Sequence, residues 1–275
     1  YGVADSILIL YRLKQQPVVI VSPIFQHSPS VFISLKKKNI SSIYELNNKD
    51  ILFYPNNTDG FSLLAMIKKF NLDVNLVRER YKDDYMRLIK NEVDVIPAYI
   101  ANEPFLFKEK GYDVNIINPT NYGFDMYGDM LFTNEDEAKN NPDRVEKFKE
   151  ATLKGWKYAL ENKEEIIQLI NEKYTQEKTI EHLRYEANAI DSLINKNLTP
   201  LGYLDQGRIR YISEMYQYYG LTESTIDLKD FLFDEISKKD KKLSLSDEEI
   251  KYLKDNPILK VHNFDSLPPY NFTLN

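Results

Sequence analysis

The 275-residue sequence contains no cysteine, and it has only three histidines. The lack of cysteine excludes disulfides as well as thiolate-ligated zinc and iron–sulfur sites. His27, His182 and His262 lie far apart in the sequence, and none belongs to an H-E-x-x-H pair, so a zinc hydrolase has little support. We therefore expect no metal site and no bound cofactor.

Two further absences limit the partners of the chain. Acidic residues outnumber basic ones by 42 to 36, which leaves no excess of positive charge for a phosphate backbone, so we expect no nucleic-acid partner. No apolar run approaches the about 20 residues that a membrane-spanning helix requires. The sequence begins at Tyr1 without an initiator methionine or a signal peptide and ends at Asn275, so we interpret it as a segment of a longer protein.

Short runs rich in Val, Ile and Phe alternate with helical patterns in the first half of the chain, which predicts an α/β sheet. The predicted strands are 18–25, 31–35, 51–54, 93–100 and 114–117. The stretch "NEPFLFKEKG" predicts a short helix, because a proline stands in its first turn and Gly111 in the stop position.

Long amphipathic helices are predicted after Thr133. One apolar stripe, which we expect to face the core, comprises Val145, Phe148, Thr152, Trp156, Ala159 and Leu160. The charged stretch "KKDKK" at 238–242, followed by the capping pattern "SDEE" at 246–249, indicates a domain boundary.

Several loops at the ends of predicted strands are rich in polar and aromatic residues: 24–30, 54–62, 99–105 and 121–133. In open α/β sheets such loops converge on a ligand crevice. Gly123 and Gly128 in "NYGFDMYGDMLFT" suggest a loop that must approach another surface closely, with a ligand as the candidate. The simpler alternatives are core tyrosines, a structural histidine, and an Asn102–Glu103 pair that only opens a helix. The spacing alone leaves these alternatives open.

Four long stretches resemble the periplasmic solute-binding proteins for thiamine pyrimidine precursors, whose fungal relatives are pyrimidine synthases. The stretches are "YGVADS", "PVVIVSPIFQHSPSVFISLK", "GYDVNIINPTNYGFDMYGDMLFT" and "NPDRVEKFKEATLKGWKYALENKEE", and with "YIANEP" they follow the family's order over about 1–233. The resemblance implies a two-lobed type II periplasmic-binding-protein fold, in which two α/β lobes close on a small ligand. It also implies that the family's N-terminal segment, with its first strand, first helix and Gly-rich ligand loop, is missing here.

On this resemblance the binding domain is 1–237, with one lobe of about 1–33 plus 122–236 and the other of 34–121. The implied ligand is a small pyrimidine-like heteroaromatic molecule, which requires aromatic faces for stacking and carboxylates or amides for its polar edge. The residues expected to line the pocket are Gln26, His27, Tyr99, Asn102, Glu103, Tyr122, Asp125 and Tyr127.

The same resemblance argues against catalysis. The fungal synthases carry a histidine that is consumed in the reaction, in the stretch matching 1–10, and a cysteine cluster in the stretch matching 123–127. Here these stretches are "YGVADSILIL" and "GFDMY", and neither contains the reactive group. We therefore expect a binding protein without catalytic residues.

A second resemblance covers only the C-terminal segment. After an expected linker at 238–245, residues 246–275 look like the truncated start of a family-3 solute-binding module from bacterial membrane sensors. Tandem modules favour an extracytoplasmic sensory domain, anchored to the membrane through other parts and coupled to a histidine kinase or a diguanylate cyclase. The alternatives are a substrate-binding protein that serves an ABC permease and a pyrimidine-synthase-type enzyme.

Overall fold

A computed structural model describes residues 1–53, 61–78, 85–195, 197–225, 227–237, 246–256, 266–267 and 271–272. Its helices are α1 (Ile7–Leu13), α2 (Phe61–Lys69), α3 (Met86–Ile89), α4 (Glu103–Glu109), α5 (Glu135–Asn140), α6 (Pro142–Glu161), α7 (Lys163–Lys173), α8 (Ile180–Ile194), α9 (Gln206–Tyr218), α10 (Phe233–Ser237) and α11 (Asp247–Asp255). Its strands are β1 (Gly2–Ala4), β2 (Val18–Pro23), β3 (Ser30–Leu35), β4 (Asp50–Phe53), β5 (Asn75–Arg78), β6 (Val95–Tyr99), β7 (Val114–Ile117), β8 (Met130–Asn134), β9 (Ser266–Leu267) and β10 (Asn271–Phe272).

Two sheets organise residues 1–236, which form one compact unit. The first sheet has three antiparallel strands in the order β1-β8-β2, and the second has five strands in the order β5-β4-β6-β3-β7. In the second sheet β4 runs parallel to β5, and α2 lies in the connection between them, as a parallel pair requires a crossover. The α/β architecture predicted from the sequence is confirmed.

Strand β3 is an interior strand of the second sheet, because it pairs with β6 on one side and with β7 on the other. All of its residues are buried, which explains its largely apolar sequence. The strand spans the expected lobe boundary after residue 33, and that boundary stays a prediction. The chain passes from the first sheet to the second before Ser30, and it returns between β7 and β8.

One apolar cluster joins the two sheets. It contains Ile20 and Met130 from the first sheet, together with Phe32, Ile51 and Val95 from the second. Burial of this apolar surface is the main favourable contribution to folding, so the two sheets are stabilised by one shared core.

Helix α4 forms as its sequence pattern predicts. Pro104 lies in the first turn, where its missing N–H costs no helical hydrogen bond, and Gly111 follows the helix with a φ of +80°. The amphipathic stripe of α6 is confirmed only in part. Val145 and Leu160 are buried, whereas Phe148 is exposed.

Residues 237–275 form a second compact unit. Its helix α11 begins with the predicted capping box, in which Ser246 and Glu249 each accept a hydrogen bond from the other's backbone N–H. Strands β9 and β10 form an antiparallel pair. The expected linker at 238–245 lies outside the described residues, as does most of the loop at 54–62.

Candidate functional site

The two segments that cross between the sheets, 24–29 and 118–129, run side by side. Asp129 O accepts hydrogen bonds from Ile24 N at 2.8 Å and from Phe25 N at 3.1 Å. Gly128 N donates to Phe25 O at 3.1 Å. These bonds bring the loop predicted as a ligand contact next to Gln26 and His27.

At Gly128 the backbone passes so close to its neighbours that only glycine fits, as the sequence suggests. The neighbouring surface is the segment around Phe25 and His27, and it is part of the protein itself. A Cβ atom at this position would lie 2.7 Å from His27 O and 2.8 Å from Phe25 Cβ. Gly123 has a φ of +85° and ends the 3₁₀ turn Pro119–Tyr122 in the left-handed conformation that glycine adopts without strain. Neither glycine therefore needs a ligand to explain it.

A charged cluster lies at the crossing. His27 Nδ1 is 2.7 Å from Asp125 Oδ1, and the guanidinium of Arg208 lies 3.1 Å from the same carboxylate oxygen. Asn195 Nδ2 lies 3.4 Å from His27 Nε2. The side chains of His27 and Asp125 keep 31% and 37% of their surface exposed, so both are accessible to a small molecule.

Tyr127 is buried in the shared core, whereas the family resemblance predicts a residue that lines the pocket. Its ring is 1% exposed, and the Arg208 guanidinium lies over it at 4.2 Å from the ring centroid. Its hydroxyl accepts a hydrogen bond of 2.9 Å from Asp205 N at the start of α9, and burial raises its pKa. The tyrosine packs in the shared core, as the simpler alternative proposed.

Gln26 is also buried, with 4% of its surface exposed. Its side-chain amide donates to Tyr203 O at 2.9 Å, which fastens the first crossing segment to the connection between α8 and α9. The side-chain amide of Gln26 is therefore hydrogen-bonded within the protein.

Tyr99, Asn102 and Glu103 form a second polar group, at the end of β6 and the start of α4. Glu103 Oε2 accepts a hydrogen bond from Tyr99 N at 2.7 Å, and Glu103 Oε1 accepts one from Asn102 Nδ2 at 2.9 Å. The first crossing segment adjoins this group, because Ile100 N donates to Pro29 O at 2.9 Å. The Tyr99 residue remains 38% exposed.

Tyr122 contacts a third group of residues, which does not include His27, Asp125 or Arg208. Its hydroxyl accepts a hydrogen bond from Ile43 N at 3.2 Å, and its ring packs edge-on against Phe70 at 5.7 Å between centroids. Lys69 Nζ donates to Tyr122 O at 3.3 Å. The described contacts thus connect His27 with Asp125 and Tyr99 with Glu103, but they do not bring Tyr122, Tyr127 and Glu103 into contact with one another.

Reasoning from the sequence missed Arg208, Asn195 and His182. Arg208 and Asn195 contact the His27–Asp125 pair, and His182 Nε2 lies 3.0 Å from Asn102 Oδ1. Each stands on or next to one of the long amphipathic helices that the sequence predicts after Thr133. Helical spacing identifies such faces and carries no signal for a partner about 80 or more residues away.

A cavity of about 590 Å³ lies elsewhere, between α6, α7 and α8. Small and apolar side chains line it, among them Gly155, Trp156, Ile167 and Ala187. It includes none of the residues expected to bind a ligand.

Metal-binding clusters and membrane-spanning helices are both absent from the described part of the chain. It contains no group of three or more His, Cys, Asp or Glu side chains placed to hold a metal ion. No helix within the described ranges combines the length and the apolar composition needed to cross a membrane.

Comparison with known proteins identifies two curated relatives. The formylaminopyrimidine-binding protein of Halalkalibacterium halodurans is 30% identical over 77 residues, which are 28% of this chain and 23% of that protein. The riboflavin-binding protein RibY of Chloroflexus aurantiacus is 23% identical over 232 residues, which are 81% of this chain and 65% of that protein. The chain therefore spans less than two thirds of the length of either relative.

The fold is shared with periplasmic binding proteins of known structure. The sulfonate-binding protein SsuA from Methylobacillus flagellatus KT aligns with a TM-score of 0.60 and 20% identity, over 93% of this chain and 76% of that one. Such a likeness shows the fold, which is the two-lobed type II arrangement implied by the sequence. The family model described as NMT1/THI5 like matches residues 1–166 of the 275, and this chain therefore belongs to the NMT1/THI5-like family.

Proposed function

We propose that this chain is the ligand-binding part of an extracytoplasmic substrate-binding protein, which delivers a small, flat, nitrogen-containing heteroaromatic molecule to an ABC-type permease. One observation carries the proposal. Both curated relatives, which differ in how much of the chain they match, are named for ligands with flat nitrogen heterocycles, a formylaminopyrimidine and riboflavin. The binding-protein fold and the family match support the same class of function.

The accessible polar groups at the crossing suit such a ligand. An aminopyrimidine presents an amine donor beside a ring-nitrogen acceptor. The Asp125 carboxylate accepts from a donor of this kind, and the imidazole of His27 is either a donor or an acceptor according to its tautomer. The exposed ring of Tyr99 provides a face for stacking. We therefore place the ligand against His27, Asp125 and Tyr99.

Thermal unfolding of the purified chain tests the proposal. The compounds are a 4-aminopyrimidine, riboflavin and, as the contrasting class, an alkanesulfonate. A ligand at 100 times its Kd stabilises the folded state by about 2.7 kcal/mol, which corresponds to a rise in Tm of about 5–10 °C for a domain of this size. We expect this rise with one of the heteroaromatic compounds. A rise with the sulfonate alone, or with none of the compounds, would reject the proposed ligand class.

A pair of matched variants locates the site. Asp125→Asn keeps the size of the side chain but removes its charge, so we expect the heteroaromatic ligand to bind about tenfold more weakly, as for the loss of one charge-assisted hydrogen bond. Asp136→Asn makes the same change at an exposed position and should leave the affinity unchanged. Equal affinities for both variants, measured by calorimetry, would place the ligand away from Asp125.

The other two interpretations are less well supported. The expected sensory role depends on the C-terminal resemblance alone, whereas the relatives and structures described above are binding proteins, so we favour the transport alternative. Reconstitution with a permease distinguishes these two roles, because only the transport role predicts ATP-dependent uptake of the ligand. Mass spectrometry of the bound compound addresses catalysis. A binding protein returns the compound unchanged, and an enzyme alters its mass.

A further inference from the structure

Helix α8 connects the two sheets. It follows the first sheet in the chain, and the C-terminal end of α8 packs Leu193 and Ile194 against Ile24 and Phe25. Its other half reaches the second sheet, where the Tyr185 hydroxyl donates to the backbone oxygen of residue 100 at 2.8 Å. The helix therefore bridges the parts of the protein on either side of the candidate site.

His182 is the most buried polar contact of this bridge, with 3% of its surface exposed. Its Nε2 is 3.0 Å from Asn102 Oδ1, and its Nδ1 is 3.3 Å from Glu109 Oε2. Thr179 Oγ1 donates to the other oxygen of Glu109 at 2.6 Å. Both ring nitrogens of His182 thus face oxygen atoms of α4 or of its first flanking residue.

The contact continues into the candidate site. Asn102 uses its Nδ2 to donate to Glu103, so its Oδ1 is the atom that faces His182 and acts as the acceptor. Glu103 in turn accepts the hydrogen bond from Tyr99 N. A chain of hydrogen bonds thus links His182 through Asn102 and Glu103 to the backbone N–H of Tyr99.

The hydrogen bond between His182 Nε2 and Asn102 Oδ1 needs its donor on the histidine side, because an amide oxygen only accepts. An alanine at position 182 would leave Asn102 Oδ1 without this donor, whereas a glutamine would supply one from its side-chain amide.

We propose that His182 is a positioning residue for the ligand site, and that its hydrogen bond to Asn102 strengthens ligand binding by holding Asn102 and Glu103 in place. This inference rests on the proposed function, because it assigns a positioning residue to the same site.

Calorimetry of the full chain with the 4-aminopyrimidine or with riboflavin tests the inference. His182→Gln keeps a donor near the Nε2 position, and His182→Ala removes it. We expect His182→Ala to bind the compound about fivefold to tenfold more weakly than the wild type, as for the loss of one hydrogen bond, and we expect His182→Gln to restore most of the affinity. Equal affinities of the wild type and His182→Ala, or of the two variants, would overturn the inference.

A measurement without ligand separates this inference from the proposed function. Hydrogen exchange of the Tyr99 amide at pH 5.5 should be several-fold faster in His182→Ala than in the wild type, because Glu103 is no longer held through Asn102. Arg184→Gln, an exposed change on the same helix, should leave the exchange rate unchanged. If no compound binds but the Tyr99 amide exchanges faster in His182→Ala than in the wild type, the proposed function fails and the positioning role stands. An unchanged exchange rate in a folded His182→Ala protein refutes the positioning role.

Discussion

Replacement of Gly128 by alanine tests how tightly the two crossing segments are packed. The added Cβ would lie 2.7 Å from His27 O, 2.8 Å from Phe25 Cβ and 3.0 Å from Pro29 Cδ. Two of these neighbours are backbone or the root of a side chain, which cannot rotate away. The whole segment 24–29 must therefore move to accept the methyl group.

The expected cost follows from this geometry. Insertion of a methyl group into a well-packed region costs about 1–3 kcal/mol, and the shortest contact here is to a backbone oxygen, so we expect a value near the upper end. For a domain of this size the loss corresponds to a fall in Tm of about 5–10 °C, at about 2–4 °C per kcal/mol. Because His27 belongs to the displaced segment, we also expect weaker ligand binding.

Gly155→Ala is the matched control. Gly155 lies inside α6, and a Cβ atom there would have no neighbour within 4 Å. Alanine is favoured over glycine in a helix by about 0.5–1 kcal/mol, so this variant should be more stable than the wild type. Urea unfolding followed by circular dichroism gives both free energies. A Gly128→Ala protein as stable as Gly155→Ala would refute the close packing of the crossing segments.

Two further predictions concern single hydrogen-bonding groups. Tyr127→Phe should lower the free energy of unfolding by about 1–2 kcal/mol, because it leaves the N–H of Asp205 without its acceptor. Tyr211→Phe, the control at an exposed residue, should change this free energy by less than about 0.5 kcal/mol. Urea unfolding measures both values, and equal losses would contradict the assigned role of Tyr127. The hydrogen bond from Arg144 lowers the pKa of Glu137 from its ordinary value of 4.5 to about 2. The stabilisation from this ionised carboxylate is therefore present above pH 4.5 and is lost as the pH falls towards 2. In Arg144→Gln the pKa, followed by NMR titration of the carboxyl group, should return towards 4.5, and an unchanged low value would exclude Arg144 as the cause.

Local features of this protein were predictable because their causes lie close together in the chain. Pro104 and Gly111 delimit α4, the capping box at Ser246 starts α11, and the apolar run of β3 indicates a strand buried on both faces. The family resemblance, carried by long stretches of sequence, predicted the two-lobed fold. Its lobe boundary after residue 33 stays a prediction, and only the pairing of β3 with β6 and β7 shows which sheet this strand joins.

The candidate site was less predictable. His27 and Asp125 were chosen from two separate loops, and the structure places them in contact. Tyr122 and Tyr127 were chosen for the same chemistry, but one packs against Phe70 and the other lies beneath Arg208. A tyrosine in a glycine-containing loop has the same local pattern whether it faces a ligand or the core.

The sequence by itself indicated strands β2, β3, β4, β6 and β7, the lack of cysteine and the family, since each depends on residue types and on short or collinear spacing. Only the tertiary structure decided which side chains are accessible at the crossing of the two sheets. Helices α8 and α9 bring Asn195 and Arg208 to His27 and Asp125 at that crossing, and α8 brings His182 to Asn102, although these partners are 80 to 168 residues apart in the chain. The positions of these side chains depend on how whole helices pack against the shared core, and no local sequence pattern predicts that packing.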